Sequence, residues 1–323
     1  MVEAKKPAET PDLSYKFSEQ IDFKTGIPVG LVPLEVIRQK DLLRILQGSV
    51  YHDIGGGTGS SARYVLSLLP ESVRPTIVAV VSEPYNDLSL ENKIAIRNQT
   101  RDLIVLKIDA SSAAGTVGAE LTSTVNVVHL LEKDERLQLW ERLFDTSSDA
   151  SQHIISTTFV KNWIPREEKR KIESFMLSWS LQISRELRKK LTKEEYAQFQ
   201  AGHKLEKLPL LDEAELVGEI TEAGFEIQHQ SIETMPCTLE SYDFIRYDPE
   251  WLKFTTRGID PKLASEVQGV ALRKVMDEKG WTMSEPMPRN TLVIVARKPD
   301  DESVSSDSRT ETKAPHEREL VLV

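Results

Sequence analysis

Apolar residues recur along the middle of the chain in short runs that alternate with longer amphipathic stretches. Two of these runs, 77–81 and 292–295, are apolar at consecutive positions, as in strands buried on both faces of a sheet. The pattern predicts seven strands, at residues 50–52, 76–81, 103–108, 117–122, 153–158, 225–232 and 292–296. Because helical stretches separate them, the sequence predicts an α/β fold with a parallel sheet.

One helix carries clear signals at both ends. Asp212 is a good N-terminal cap, and Gly224 lies just past the predicted end of the helix. Between them the apolar positions recur at helical spacing. We therefore expect a helix that begins after Asp212 and stops before Gly224.

Two long segments exceed what an alternating sheet needs. Residues 161–210 are charged and helical, and residues 239–280 form an insertion rich in aromatic side chains. Insertions in α/β folds usually lie over the carboxyl ends of the strands, where ligands bind. We interpret both, with an N-terminal segment 14–47, as a lid over a core of residues 48–160 and 211–299. The polar ends, 1–13 and 300–323, are expected to be disordered tails.

The turn after the first predicted strand combines an acid, Asp53, with three spaced glycines, Gly55, Gly57 and Gly59. Small residues at a strand-to-helix turn let a ligand lie against backbone N–H groups at the start of the helix. The dinucleotide fingerprint Gly-x-Gly-x-x-Gly fits poorly, because its third glycine is missing in either register and the acid would repel a pyrophosphate.

Two further acids follow the second and third predicted strands, Glu83 before Pro84 and Asp109 before Ala110. A carboxylate at a strand end can accept hydrogen bonds from a ribose diol or from the exocyclic amine of adenine. Each acid alone is more often an ordinary strand-end residue. Three acids after three successive strands, the first beside a glycine turn, favour a site for a nucleoside-containing ligand.

This ordered set of glycines and acids resembles motifs I, post-I and II of the class I S-adenosylmethionine (SAM)-dependent methyltransferases. The resemblance covers residues 48–160 and extends more loosely to 211–232 and 291–297. It implies a Rossmann-like methyltransferase fold, in which a seven-stranded, mostly parallel sheet is flanked by helices, the last strand is antiparallel, and helical insertions form a lid.

The same resemblance implies where SAM would bind. Asp53 and the glycine turn would hold the methionine end, Glu83 the ribose and Asp109 the adenine. Tyr15 would lie near the SAM carboxylate or methyl group, within an N-terminal segment that closes over the cofactor. The full set of implied cofactor-binding residues is Tyr15, Asp53, Gly55, Gly57, Gly59, Glu83, Pro84, Asp109, Ala110 and Thr122.

The sequence departs from the family pattern in places that bear on the acceptor. Residues 122–131 lack the Asn-Pro-Pro-Tyr signature of the adenine and glutamine N-methyltransferases, and Glu120 stands where many relatives carry Asp. Residues 146–149, Thr-Ser-Ser-Asp, replace the usual Pro-Gly-Gly. These departures favour the small-molecule methyltransferases of specialised metabolism and leave the acceptor unidentified.

Methyl transfer from a sulfonium is an in-line displacement in which positioning is the main task, and a base is needed only for a protonated acceptor. His129 is the candidate base, with a half-buried structural histidine as an equal alternative. Phe159 and Trp163 could wall the acceptor pocket, where an aromatic face attracts a cation. Packing of lid against sheet explains the two aromatic residues equally well.

Charge and composition narrow the range of partners. The formal net charge of −10 argues against a nucleic-acid surface, and the single cysteine, Cys237, fits a reducing compartment. Neither a membrane-spanning run nor a signal-peptide core is visible. We expect a cytoplasmic protein that takes a small-molecule methyl acceptor, with no metal, nucleic-acid or membrane partner. The oligomeric state is not indicated.

Two other functions stay open at this point. A protein of this fold can bind SAM and yet catalyse a cyclisation or an elimination without methyl transfer. A non-catalytic regulatory protein with a degenerate site is the further alternative, and the intact glycine and acid motifs argue against it.

Overall fold

The computed structural model describes residues 29–40, 42, 49–70, 72–81, 88–110, 118–202, 210–247, 251–252, 255–256 and 258–300. Its seven strands are β1 (Val50–Ile54), β2 (Thr76–Val81), β3 (Asp102–Lys107), β4 (Leu121–Val125), β5 (Gln152–Thr157), β6 (Glu226–Met235) and β7 (Arg289–Arg297). They form one sheet in the order β3-β2-β1-β4-β5-β7-β6, and β7 runs antiparallel to both of its neighbours. The predicted mixed seven-stranded sheet with an antiparallel last strand is confirmed.

The described helices flank this sheet or lie in the two long insertions. They are α1 (Val36–Gln39), α2 (Ser60–Ser67), α3 (Leu90–Gln99), α4 (Lys133–Thr146), α5 (Lys169–Lys190), α6 (Lys193–Gly202), α7 (Glu213–Glu222), α8 (Leu239–Ile245) and α9 (Pro261–Lys279). Short 3₁₀ helices cover Val29–Glu35, Val128–Leu130 and Arg166–Glu168. The predicted caps of α7 are confirmed, because Asp212 accepts from the N–H groups of Ala214 and Glu215 and Gly224 adopts a φ of 102°.

Apolar side chains cover both faces of the sheet, which explains the consecutive apolar positions of β2. On one face α1, α2, α3 and the 3₁₀ helix Val29–Glu35 pack through residues such as Leu34, Val65 and Ile96. On the other face α4 and α7 pack through residues such as Trp140 and Ile220. The two helices of this second face are joined by a buried ion pair, in which Arg136 and Glu219 make hydrogen bonds of 2.9 and 2.6 Å.

The two long insertions pack against each other. Helix α5 lies against α9, and Phe175 and Trp179 of α5 contact Tyr242 of α8 in edge-to-face geometry. The indole N–H of Trp179 donates to the backbone oxygen of Gln268, and that of Trp251 donates to its side-chain oxygen. These residues form a second core, here called the helical layer, built from α5, α6, α8, α9, Trp251 and Met287.

The fourth strand lies later in the chain than the sequence indicates. The prediction of 117–122 is wrong, since β4 begins at Leu121 and ends at Val125. Gly118 has a φ of 76°, which is incompatible with an extended strand. The sequence of the strand is Leu-Thr-Ser-Thr-Val, and it is buried between β1 and β5. Because its central residues are polar, the hydrophobic pattern does not reveal this burial.

No helix among the described residues is long and apolar enough to cross a membrane.

Candidate functional site

The glycine turn (residues 55–59) follows β1 at the carboxyl edge of the sheet. Gly55, Gly57 and Gly59 have φ values of 69°, 51° and 92°, a region that L side chains rarely adopt. A Cβ added to Gly55 would lie 2.1 Å from Cγ2 of Val127, in the segment after β4. The backbone conformation therefore favours glycine at these three positions, and the close approach of Val127 requires it at Gly55 as well.

Asp53 ties the turn to its neighbours. Its carboxylate accepts from the hydroxyl of Ser61 at 2.5 Å and from the hydroxyl of Ser123 at 3.1 Å. It also accepts from the backbone N–H of Ala62, which caps α2 because the N-cap residue, Gly59, has no side chain. Burial raises the pKa of Asp53, and the bonds from Ser61 and Ser123 oppose that rise.

The carboxyl ends of β4 and β5 are fastened together by Asn126. This residue has a φ of 55°, its N–H donates to the backbone oxygen of Ser156, and its side-chain oxygen accepts from the N–H of Thr158. Asparagine tolerates the left-handed region better than most residues. The fastening brings the segment after β4, with His129, beside the segment after β5, with Phe159.

His129 stacks on Phe159 with ring centroids 3.9 Å apart and an angle of 16° between the planes. Its Nδ1 lies 3.3 Å from the hydroxyl oxygen of Thr157, which also accepts from the N–H of Phe159. Burial lowers the pKa of His129 to about 3. The ring is therefore neutral at pH 7, and it is a weak base in this environment.

A cleft opens where β5 ends, β7 begins and the helical layer packs over both. The space among its lining residues is about 270 Å³ when open solvent is counted, and the enclosed part has room for about one water molecule. Its lining consists of Thr158, Phe159, Trp163, Met176, Leu210, Trp251 and Arg289. Three of these side chains are aromatic and one is charged, so the chemistry of the lining matches an apolar or aromatic molecule that carries an opposite charge.

Arg289 is buried at the amino end of β7, and its guanidinium packs against two aromatic rings. The guanidinium carbon lies 4.5 Å from the ring centroid of Tyr242 and 5.3 Å from that of Trp163, and Nε donates to the Tyr242 hydroxyl at 3.2 Å. Burial alone lowers the pKa of Arg289, but Tyr242 and Cys237 raise it above its ordinary value. The side chain stays charged.

Several predicted site residues can be placed, and others lie outside the described residues. Tyr15, Glu83 and Pro84 belong to the second group. Asp109 is exposed after β3, next to the buried Ala110. The glycine turn, His129, Phe159 and Trp163 all lie at the carboxyl edge of the sheet, and the last two line the cleft.

The structure corrects the predicted position of Thr122 in the fourth strand. The sequence places it at the end of the fourth strand, whereas the structure places it inside β4, three residues before the strand ends. Its hydroxyl is buried and has no hydrogen-bond partner among the described residues. The structure thus corrects the position of Thr122 in the strand, and its role in cofactor binding stays a prediction.

Several residues of the site are not among those that the sequence predicts, and four of them are central to its geometry. Asn126 and Val127 lie in the segment that the misplaced fourth strand obscured, and Trp251 and Arg289 are distant in sequence from the glycine turn. One signal was visible for Arg289, an arginine three residues before the apolar run 292–296. Elsewhere in the described residues, no group of three or more His, Cys, Asp or Glu side chains could hold a metal ion.

No protein-family model matches the sequence, and no curated protein matches it. Solved structures do share the outline of the fold. The cyclopropane synthase MmaA2 of Mycobacterium tuberculosis is 13% identical, with 89% of this chain and 94% of that one covered and a TM-score of 0.45. The [4+2]-cyclase SpnF is 12% identical, with 81% of each chain covered and a TM-score of 0.44.

A third similar structure is phosphoethanolamine N-methyltransferase 2 of Haemonchus contortus, in complex with phosphomonomethylethanolamine and S-adenosylhomocysteine. It is 14% identical, with 90% of this chain and 57% of that one covered and a TM-score of 0.46. At such identities and scores, none of these likenesses assigns an activity to this chain.

Proposed function

We propose that the protein is a SAM-dependent methyltransferase that acts on a small organic acceptor. One observation carries the proposal: the glycine turn and the aromatic cleft open at the same edge of one sheet, with the stacked pair His129 and Phe159 between them. The strands that carry these features are consecutive in the sheet, in the order β1, β4, β5 and β7. A cofactor on the turn and an acceptor in the cleft would be neighbours.

The turn fits the amino-acid end of SAM. Four of its five residues are glycines, which offer backbone alone, and the carboxylate of Asp53 is already engaged by Ser61 and Ser123. Asp53 would then act as a positioning residue that fixes the turn and the start of α2. Glu83 for the ribose and Asp109 for the adenine stay predictions, and Glu83 lies outside the described residues.

When bound, SAM would supply an electrophilic methyl group on its sulfonium sulfur. The residues of the chain have three tasks in this scheme. Phe159, Trp163 and Trp251 would bind the acceptor and exclude water from the cleft. The aromatic faces would also attract the positive charge of the sulfonium. Positioning of the two reactants supplies most of the rate gain in a displacement of this kind.

His129 is a weak general base in this geometry, since its pKa is about 3. We expect the rate between pH 6 and pH 8 to show no ionisation that depends on His129, and His129→Gln to lower kcat without changing the shape of the pH profile. The profiles of both proteins with one acceptor test this. An inflection that disappears in the variant would restore the role of general base.

The proposal is tested with deuteromethyl SAM, an extract of small molecules and mass spectrometry. Methyl transfer adds the label to one component, and its mass identifies the acceptor. A component that changes while the label stays on SAM would indicate a cyclisation or an elimination instead. If S-adenosylhomocysteine binds but no component changes in any extract, the regulatory alternative stands and the proposed activity is wrong.

A further inference from the structure

Arg289 is a buried cation without a counter-ion in the described part of the chain. It is 5% exposed, and its only hydrogen bond there is the one from Nε to Tyr242. The guanidinium has four more N–H groups, on Nη1 and Nη2, and none of them donates to a described residue. Buried charges are normally paired, because removal from water without a partner is costly.

The surroundings of Arg289 hold the guanidinium in place without neutralising it. Tyr242 and Trp163 lie against it as cation–π partners. No carboxylate is among the described residues that influence its ionisation. The arrangement leaves a positioned fork of donors at the wall of the cleft, and such a fork suits the two oxygens of a carboxylate or phosphate.

The position of Arg289 in the sheet places it on the acceptor side. Three steps separate β1 from β7 in the strand order, which at about 4.8 Å per strand is roughly 14 Å. Arg289 is also the one charged side chain in the described lining of the cleft. An anion bound there would have aromatic walls beside it and no competing carboxylate among the lining residues.

We propose that the acceptor carries a carboxylate or a phosphate, and that Arg289 binds this anionic group through Nη1 and Nη2. The inference rests on the proposed function in one respect, that the cleft is the acceptor site. It narrows the substrate class to acids with an apolar or aromatic body that matches the aromatic lining of the cleft. The reacting atom would lie at the other end of the molecule, toward His129 and the glycine turn.

The test uses the full chain saturated with S-adenosylhomocysteine and three probes of one shape, benzoate, phenyl phosphate and the neutral benzamide. Titration is followed by the fluorescence of the tryptophans, two of which line the cleft. We expect the better anion to bind at least about tenfold more tightly than benzamide, and its affinity to fall as salt is added. Whether benzoate or phenyl phosphate binds better distinguishes a carboxylate from a phosphate.

Substitutions then assign the preference to Arg289. Arg289→Gln should abolish it, and Arg289→Lys should keep only part of it, because lysine lacks the fork. Arg297→Gln is the matched control, since Arg297 lies at the other end of β7, paired with Asp300. That control should leave the preference and the affinity for S-adenosylhomocysteine unchanged.

Equal binding of anions and benzamide to the wild-type protein would overturn the inference, and so would an anion preference that survives Arg289→Gln. Weaker binding of all three probes to that variant would indicate a structural role only and would also overturn it. The proposed function fails differently, through absent binding of S-adenosylhomocysteine or absent transfer of the label. If Arg289→Gln does not fold, the comparison of benzoate, phenyl phosphate and benzamide on the wild-type protein still shows whether the cleft prefers an anion.

Discussion

The glycine turn draws its residues from positions 55–59, whereas the cleft draws its lining from residues as far apart as Thr158 and Arg289. In the turn, function follows from backbone conformation, and a single added carbon collides with Val127. In the cleft, the proposed function follows from side chains that five separate segments of the chain bring together. A local motif is rigid and can be predicted from the sequence. A pocket built from distant segments can change its specificity without a change of fold.

The largest effect is expected from Gly55→Ala, a substitution that disrupts the glycine turn and leaves the cleft residues unchanged. Gly55→Ala places a Cβ 2.1 Å from Val127 in a backbone of φ 69°, so both strain and overpacking result. The free energy of unfolding should fall by about 2–5 kcal/mol. Binding of S-adenosylhomocysteine, measured by calorimetry, should weaken at least about 30-fold, because about 2 kcal/mol corresponds to that factor.

Gly280→Ala is the matched control for Gly55→Ala. Gly280 has a nearly equal φ of 67°, but an added Cβ there meets nothing within 4 Å. It should cost only the strain of the left-handed conformation, about 1–2 kcal/mol, and should leave ligand binding intact. Equal losses of affinity in the two variants would mean that the turn has no special relation to the ligand.

The next effect tests what the two regions share, the sheet beneath them. Burial lowers the pKa of His52 on β1 to about 4, and burial, with smaller contributions from His52 and Lys298, lowers that of His153 on β5 to about 3. Both lie below the ordinary value of 6.5, so the unfolded chain binds more protons as the pH falls from 6.5 toward 4. Stability is therefore complete above pH 6.5 and is lost below it, by about 1.4 kcal/mol per pH unit for each histidine.

Urea unfolding between pH 7 and pH 5 measures this loss, which should reach about 2 kcal/mol per histidine. In His153→Leu the slope between pH 6.5 and pH 5 should fall by about one proton. The turn and the cleft should lose their ligands in a single transition, since one sheet supports both. An unchanged slope in the variant would contradict the burial of a neutral His153.

The smallest effect separates the cleft from the turn. Trp163→Phe shrinks one of the two rings that hold the guanidinium of Arg289, so benzoate or phenyl phosphate should bind more weakly by about 0.5–1 kcal/mol. The affinity for S-adenosylhomocysteine should not change. Trp281→Phe, a tryptophan of the helical layer that is not in the lining of the cleft, is the control and should alter neither affinity.

The two regions also differ in how far the sequence predicts them. The glycine turn and six of the strands are local patterns, and they could be read directly. The fourth strand could not, because Thr122, Ser123 and Thr124 are polar yet buried between two other strands. The hydrogen bond from Ser123 to Asp53 could not be predicted either, because only the folded sheet brings these two residues together.

The cleft was predicted only in part. Phe159 and Trp163 follow a strand and could be proposed as walls of the acceptor pocket. The guanidinium of Arg289 is positioned by Tyr242 and Trp163, which are far away in sequence. A charged residue at a strand start normally suggests exposure, and its burial here depends on the packing of the helical layer. Pairings between distant segments carry no signature in a single sequence.

Isothermal titration of the wild-type protein with S-adenosylhomocysteine and, separately, with NAD shows which cofactor the glycine turn binds. We predict one-to-one binding of S-adenosylhomocysteine in the micromolar range or tighter, no binding of NAD, and a weakened affinity in Glu83→Ala as well as in Gly55→Ala. Binding of NAD without binding of S-adenosylhomocysteine would contradict this prediction, because the glycine turn would then serve a dinucleotide.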